Sequence, residues 1–363
     1  MSSRSTHKTT RFAESRARPR ILIVDDSVVA RAVLARAIAL SGKFIVAGAV
    51  PHARAALAFL VDNQVDGILL DIVMPGVDGL TALPALLAAG AGAKVLIVSS
   101  SCGDGAAATV SALALGAADT LVKPEIGDFA GRFSEVLEEK LTRLFESAPV
   151  APAVLPISRP IASPAGSIER LPGSFDIVAI GASTGGIHAL SLLLREIPES
   201  FEQPILITQH LPDSFMPYFA AQVAVLAGRP CEVATDHMRI RPGRVIIAPG
   251  NAHMRVVGSG DGAAIRLTTE AAKSGCTPSV DPMFESLAMV YGPRALAIVL
   301  SGMGRDGSEG AQRIVDRGGS VVVQDQVSSV VWGMPGAVAT NGIACAIMPP
   351  AEIGRLIARR KRP

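Results

Sequence analysis

Ser183 stands in the glycine-rich segment Gly181-Ala182-Ser183-Thr184-Gly185-Gly186, directly after the apolar run Asp176–Ile180 and before a helical stretch. A serine on a tight strand-to-helix turn presents its hydroxyl among backbone N–H groups at a helix N-terminus, the setting of a nucleophile. Such a hydroxyl needs a base, and His210 follows the next apolar run, Pro204–Thr208. Its rival is His188, in the helical stretch after Ser183; His237 and His253 fall in loop-like sequence without a nucleophile beside them. The acid that would orient the imidazole is Asp306, in Ser301-Gly302-Met303-Gly304-Arg305-Asp306-Gly307 after the apolar Ala295–Leu300, with Asp281 and Asp325 as alternatives. Two other readings of the glycine turn compete: a dinucleotide phosphate loop, and a structural turn with Ser183 as helix cap. The phosphate-loop reading requires an acid at the end of the following strand, where Gln209 and His210 stand instead.

A second constellation precedes the first in the chain. Asp25 and Asp26 close one apolar run, Asp71 another, Ser99 a third and Lys123 a fourth. Carboxylates gathered at one place repel one another unless a cation joins them, and hard Mg²⁺ held by carboxylates, water and a phosphate suits the set. Lys123 and Ser99 add donors for a phosphoryl oxygen. Taken singly, Asp25 also reads as a helix cap and Lys123 as a solvated strand end; their joint placement carries the functional reading.

Such convergence needs parallel strands whose carboxyl ends share an edge. The runs Ile21–Val24, Phe44–Ala47, Gly67–Leu70, Lys94–Val98 and Thr120–Val122 alternate with helix-length Ala- and Leu-rich segments, a (βα)5 rhythm that predicts a doubly wound parallel sheet. Residues 146–174 shift to Ala, Ser and Pro and read as a semi-rigid spacer. A second βα rhythm follows: Asp176–Ile180, Pro204–Thr208, Arg244–Ile247, Ala295–Leu300 and Ser320–Val323. The expected organisation is a disordered tail over residues 1–19, a domain over 20–145, the linker over 146–174 and a catalytic domain over 175–363.

With 34 basic and 32 acidic residues, the formal charge of +2 gives no field for nucleic acid. The chargeless stretch from Val327 to Ala351 is broken by Gly333, Pro335, Gly336, Asn341 and Gly342, so it reads as short strands and turns rather than a segment inserted in a membrane. Cys102, Cys231, Cys276 and Cys345 are scattered without metal-ligand spacing and read as reduced thiols of a cytoplasmic protein.

The segments I-L-I-V-D-D-S from Ile21, L-L-D-I-V-M-P-G-V-D-G from Leu69 and L-V-K-P from Leu121 resemble the signatures of two-component receiver domains. That resemblance implies a phosphoryl group passed from a histidine kinase to Asp71, with Mg²⁺ held directly by Asp26 and Asp71, through water by Asp25, and by the Val73 carbonyl. Thr120 departs from the pattern, standing where many receivers carry an aromatic.

G-A-S-T-G-G, T-Q-H, S-G-M-G-R-D-G and S-S-V-V-W-G-M-P resemble the chemotaxis protein-glutamate methylesterases. With the receiver in front, the resemblance is to the response-regulator methylesterase/glutaminase family and spans all but tail and linker. It implies hydrolysis of glutamate methyl esters on chemoreceptors, with deamidation of receptor glutamines, through Ser183, His210 and Asp306 and without a cofactor. Backbone N–H groups near Thr184 and Met303 are the candidate oxyanion donors. Arg305 stands where relatives often have a smaller polar residue, so local substrate contacts differ.

Overall fold

The computed structural model describes residues 18–99, 104–123, 132–146, 175–260 and 262–359. Apart from Arg18, Pro19 and Glu146, the expected tail and linker lie outside them, as does Cys102.

The first half runs β1 (Arg20–Val24), α1 (Val28–Ser41), β2 (Ile45–Val50), α2 (Ala53–Asp62), β3 (Gly67–Asp71), α3 (Gly79–Ala89), β4 (Lys94–Ser99), α4 (Asp104–Leu115), β5 (Asp119–Val122) and α5 (Arg132–Glu146). Its strands form one parallel sheet in the order β2-β1-β3-β4-β5. Strands β1, β3 and β4 are buried almost throughout, as a sheet covered on both faces requires. The strand order reverses between β1 and β3, and a crevice opens beyond their carboxyl ends. Strand β2 runs past the predicted Ala47 to Val50. Gly48 lies within the strand, where an added Cβ would meet the Phe59 ring at 2.8 Å.

The second half comprises β6 (Ile177–Ala182), α6 (Gly186–Leu194), β7 (Ile205–Gln209), α7 (Met216–Ala227), β8 (Cys231–Val233), β9 (Val245–Ile247), β10 (His253–Ser259), β11 (Gly262–Thr268), α8 (Val280–Tyr291), β12 (Ala295–Val299), α9 (Ser308–Asp316), β13 (Ser320–Gln324), α10 (Met334–Thr340), β14 (Ala346–Met348) and α11 (Pro350–Ala358). Seven strands make a parallel sheet, β14-β13-β12-β6-β7-β9-β8, while β10 and β11 pair antiparallel beside it. The order reverses at β6, so the turn that carries Ser183 occupies the switch point. The β10–β11 hairpin escapes the sequence reading because Arg255 and Gly258 interrupt its apolar alternation. His253, expected in a loop, instead begins β10 and is buried: its Nε2–H donates to the Glu270 carbonyl (2.7 Å) and its Nδ1 accepts from the Ser279 N–H (2.9 Å). The chargeless stretch resolves into α10 and β14, and no helix among the described residues is long and apolar enough to cross a membrane.

The two halves touch. The C-terminal end of α4 lies against α6, where His188 Nδ1 (3.0 Å) and Ser191 Oγ (3.2 Å) both bond the Ala114 carbonyl. Lys94 Nζ bridges the Leu144 carbonyl (2.6 Å) to that of Val330 (3.0 Å). Apolar side chains of α4 and α6 belong to one continuous core.

One glycine fixes how closely α8 approaches the central strand. A Cβ on Gly181 would stand 2.5 Å from Val280 Cγ1, at the first residue of that helix. Gly181→Ala is therefore expected to cost about 1–3 kcal/mol by overpacking, read as a lowered urea midpoint, and to reduce turnover by displacing the start of α8. Parent-like stability and turnover would refute this packing account.

Candidate active site

Ser183 follows β6, His210 follows the adjacent β7, and Asp306 lies beyond β12 on the other side of β6. Parallel neighbours end on the same edge, so three residues remote in sequence converge there. His210 Nδ1 lies 3.1 Å from Ser183 Oγ, and Nε2 lies 2.8 Å from Asp306 Oδ2. The carboxylate can only accept, so Nε2 carries the proton and Nδ1 offers its lone pair to the serine hydroxyl.

Asp306 is buried, and its other lone pairs are occupied. Oδ1 accepts from Ser279 Oγ (2.7 Å), Gly307 N (3.0 Å) and Asp281 N (3.3 Å), while Oδ2 also accepts from Val280 N (2.8 Å). Two of these donors belong to the first turn of α8, whose positive end favours an anion. Burial pushes against ionisation, yet the hydrogen bonds, His210 first among them, hold the Asp306 carboxyl at about 2. Burial likewise disfavours the imidazolium, but hydrogen bonding to Asp306 and the nearby Cys276 outweigh it and raise His210 to about 9.

The alternative residues stand elsewhere. His188 points at α4 rather than at Ser183. Asp281 Oδ1 accepts from Gly310 N (2.7 Å), and Asp325 is bonded to Ser328. Thr184 Oγ1 donates to Asp119 Oδ2 of β5 (3.2 Å), and Met303 packs with the apolar cluster that contains Leu137 and Leu141 of α5. Among the described residues, no acceptor takes the backbone N–H of either Thr184 or Met303. Arg305 is exposed and lines a cavity with Lys273, Asp306 and Glu309.

Sequence reasoning passes over several contributors. Gln209 Nε2 donates to the Ser183 carbonyl (3.0 Å) and steadies the nucleophile turn; it was visible only as the residue before His210. Ser279 holds Asp306, and the only signal was a serine before a helix start. Cys276, isolated in sequence, has its sulfur in one group with a His210 nitrogen and an Asp306 oxygen, all within 4.8 Å of one another. A cavity of about 390 Å³ joins Ser183, Thr184, His210, Cys276 and Met303 to Asp119 and Lys140 of the first half.

At the other edge, Asp25, Asp26 and Asp71 bring carboxylate oxygens within 4.8 Å of one another. Lys123 Nζ binds Asp71 Oδ2 (2.8 Å) and Asp25 Oδ2 (2.9 Å). Burial first, and then Asp25, raise the Asp71 carboxyl above its ordinary range against the opposing pull of Lys123. Burial opposes the Lys123 charge, but its two carboxylate partners raise its pKa overall. Three carboxyls beside one ammonium leave negative charge to be balanced, which fits Mg²⁺ held by Asp25, Asp26 and Asp71. Val73 stands beside them, its N–H donating to Asp71 Oδ1 (3.3 Å). Ser99 Oγ shares a hydrogen bond with Thr109 Oγ1 of α4 (2.7 Å).

Residues 178–357 match the CheB methylesterase family, and residues 21–129 match the response regulator receiver domain family. A protein-glutamate methylesterase/protein-glutamine glutaminase of Paramagnetospirillum magneticum is 40% identical, over 94% of this chain and 97% of that protein. One from Azospirillum brasilense is 38% identical, over 94% of this chain and 92% of its own. Among solved structures, the Thermotoga maritima CheB methylesterase catalytic domain superposes with a TM-score of 0.50 at 31% identity, covering 51% of this chain and 98% of that one.

A base must be neutral to take the serine proton, so turnover is expected to rise with pH and to level off only above the imidazole pKa. With that pKa raised from 6.5 to about 9, the half-maximal point of kcat/KM should fall well above 6.5. Asp306→Asn removes the anion that raises it and the acceptor that fixes the tautomer. The half-maximal point should then move down and the rate should drop by about 10⁴-fold. An unchanged profile in that variant would sever Asp306 from the base.

Proposed function

The chain belongs to the CheB methylesterase family, and on that premise we propose that it hydrolyses glutamate methyl esters of chemoreceptors under the control of Asp71 phosphorylation. Deamidation of receptor glutamines by the same acyl transfer accompanies this activity. The observation that carries the reading is the hydrogen-bonded series from Ser183 through His210 to Asp306 at the switch point of a parallel sheet.

In the reaction, Ser183 Oγ attacks the ester carbonyl carbon as its proton passes to His210 Nδ1. The tetrahedral oxyanion is met by the N–H groups of Thr184 and Met303, which have no acceptor among the described residues. His210 returns the proton to the departing methoxide, and methanol leaves an acyl-enzyme. Water, deprotonated by the same nitrogen, then releases glutamate and restores the serine. A glutamine side chain follows the same path and releases ammonia.

Control follows from where the first half touches the second. Thr184 is held by Asp119, the Gly185 N–H donates to the Ala118 carbonyl (2.8 Å), and Met303 is packed against α5. Both proposed oxyanion donors thus border receiver contacts, and the cavity at Ser183 has receiver residues for one wall. A receptor helix, roughly 10–12 Å across, needs that wall moved. Asp71 accepts the phosphoryl group from a histidine kinase, and Lys123 neutralises a phosphoryl oxygen. Mg²⁺, when bound at Asp25, Asp26, Asp71 and the Val73 carbonyl, shields the charge of the incoming phosphate. Ser99 turns from Thr109 to the phosphoryl group and releases its tie to α4. The partners are chemoreceptors and a kinase in the cytoplasm, and neither nucleic acid nor membrane insertion is involved.

Ser183→Ala should abolish methanol release from a methylated receptor fragment while leaving the unfolding midpoint unchanged. Asp71→Asn should abolish labelling by a small phosphodonor and its stimulation of the esterase. Methanol release at the parent rate by Ser183→Ala would remove the nucleophile. A folded fragment beginning at Phe175 should exceed the unphosphorylated full chain by roughly tenfold and ignore the phosphodonor, since a tenfold shift needs only about 1.4 kcal/mol. Equal rates for fragment and unphosphorylated chain would mean that the receiver does not obstruct the site.

A further inference from the structure

Cys276 has no part in the acyl transfer described above, yet its sulfur lies within 4.8 Å of donor atoms of both His210 and Asp306. It sits in a loop immediately before α8, half-buried, between two cavities. One is the cavity at Ser183; the other is lined by Lys273, Arg305 and Glu309, shares Met303 with the first and, among the described residues, has none of the first half in its lining. A small ion therefore has a route to the sulfur that the receiver does not cover.

We propose that Cys276, His210 and Asp306 form a binding site for a borderline-soft divalent cation, zinc in particular, whose occupation switches the esterase off. A thiolate, an imidazole and a carboxylate are three ligands of the type zinc takes, with the fourth position left to water. In a tetrahedral zinc site, ligand atoms stand about 3.3–3.7 Å apart, so the 2.8 Å His210–Asp306 contact opens slightly to admit the ion, with the sulfur already within 4.8 Å of both partners. Ser279 and Gly307 already fix the second oxygen of Asp306, which is the outer support a metal-binding carboxylate needs. The all-oxygen cluster of Asp25, Asp26 and Asp71 suits hard Mg²⁺, whereas a site with sulfur and nitrogen favours the softer ion.

The chemistry of inhibition follows from the tautomer. On coordination, the Cys276 thiol gives its proton to water and its sulfur pair to the metal. The metal takes the His210 Nε2 position; the proton displaced there goes to water from the imidazolium, or to Nδ1 from the neutral ring, and in either case Nδ1 is left bearing a proton. That nitrogen faces Ser183 at 3.1 Å and is now a donor, so it no longer accepts the serine proton. No electron is transferred, and removing the metal reverses each step.

The inference rests on the esterase reading for its activity measurement, and a second readout is independent of it. Zinc is titrated into the phosphorylated full chain in excess Mg²⁺, and each protein is compared with its own zinc-free rate. Parent activity should fall about tenfold or more at free zinc that leaves Cys276→Ser and Cys276→Ala within about twofold, and a chelator should restore it. Cobalt added to the parent should produce a sulfur-to-metal charge-transfer band in the near ultraviolet, absent from both variants. Equal inhibition of parent and variants, or no charge-transfer band in the parent, would overturn the site. A parent that binds cobalt in this way but releases no methanol would instead overturn the esterase reading alone.

Discussion

The buried carboxylate of Asp306 is the anchor on which the catalytic edge depends. An unpaired buried carboxylate would cost several kcal/mol; here its oxygens are met by His210, by Ser279 and Gly307, and by the first N–H groups of α8. The same charge that selects the His210 tautomer therefore also fixes where α8 begins and where the Cys276 loop hangs. A second ionised carboxyl beside it would be costly. Burial chiefly, and Asp306 further, raise the Asp281 carboxyl to about 7, while hydrogen bonding keeps Asp306 low, so of the two it is Asp306, facing the imidazole, that holds its charge more firmly.

The first sheet solves the opposite problem. Its carboxyl edge gathers Asp25, Asp26 and Asp71 around one ammonium group, Lys123, and is left short of positive charge. One edge is satisfied by the protein's own donors, as moving a proton requires; the other has carboxylates in excess of its one ammonium, as suits a cation and an incoming phosphoryl group. Both lie at the strand-order reversal of a parallel sheet, where neighbouring loops diverge and leave room for a ligand.

Much of this was legible in the sequence for one reason: a parallel strand buried on both faces is a short apolar run, and the residue after it lands on the functional edge. Ser183, His210, Asp25, Asp71 and Lys123 fall at or next to a strand end by that rule, whereas Asp306 stands seven residues past β12 in a glycine-rich loop, so the rule points only to its neighbourhood and leaves Asp281 and Asp325 as alternatives. The rule fails where strands are short, interrupted or at the margin. Strands β8 and β14 have three residues each, and the β10–β11 hairpin carries Arg255 and Gly258 within its run. It also says nothing of residues brought in by loops. Cys276 reaches the catalytic edge because its loop is drawn in by α8, whose start is tied to Asp306, and no spacing in the chain encodes that approach.

The contact between the halves constrains how phosphorylation can act. Ala118 and Asp119, which hold the nucleophile turn, lie at the beginning of β5, whereas Lys123 and the acid cluster lie at its far end. Four residues of strand span roughly 13 Å, so a phosphoryl group on Asp71 would stand clear of that contact and could act on it only through an intervening element. Helix α4 connects the two. Thr109 in its middle bonds Ser99 at the phosphorylation edge, and Ala114 near its end receives His188 and Ser191 from the catalytic half. A shift of α4 that follows loss of the Ser99–Thr109 bond would disturb two hydrogen bonds to Ala114 at once. With net values of about 0.5–1.5 kcal/mol each, those bonds are of the size needed to change the exposure of Ser183 by an order of magnitude. The neighbouring Thr120 is buried with its hydroxyl unpartnered among the described residues, so β5 holds no side-chain bond there that would resist the movement.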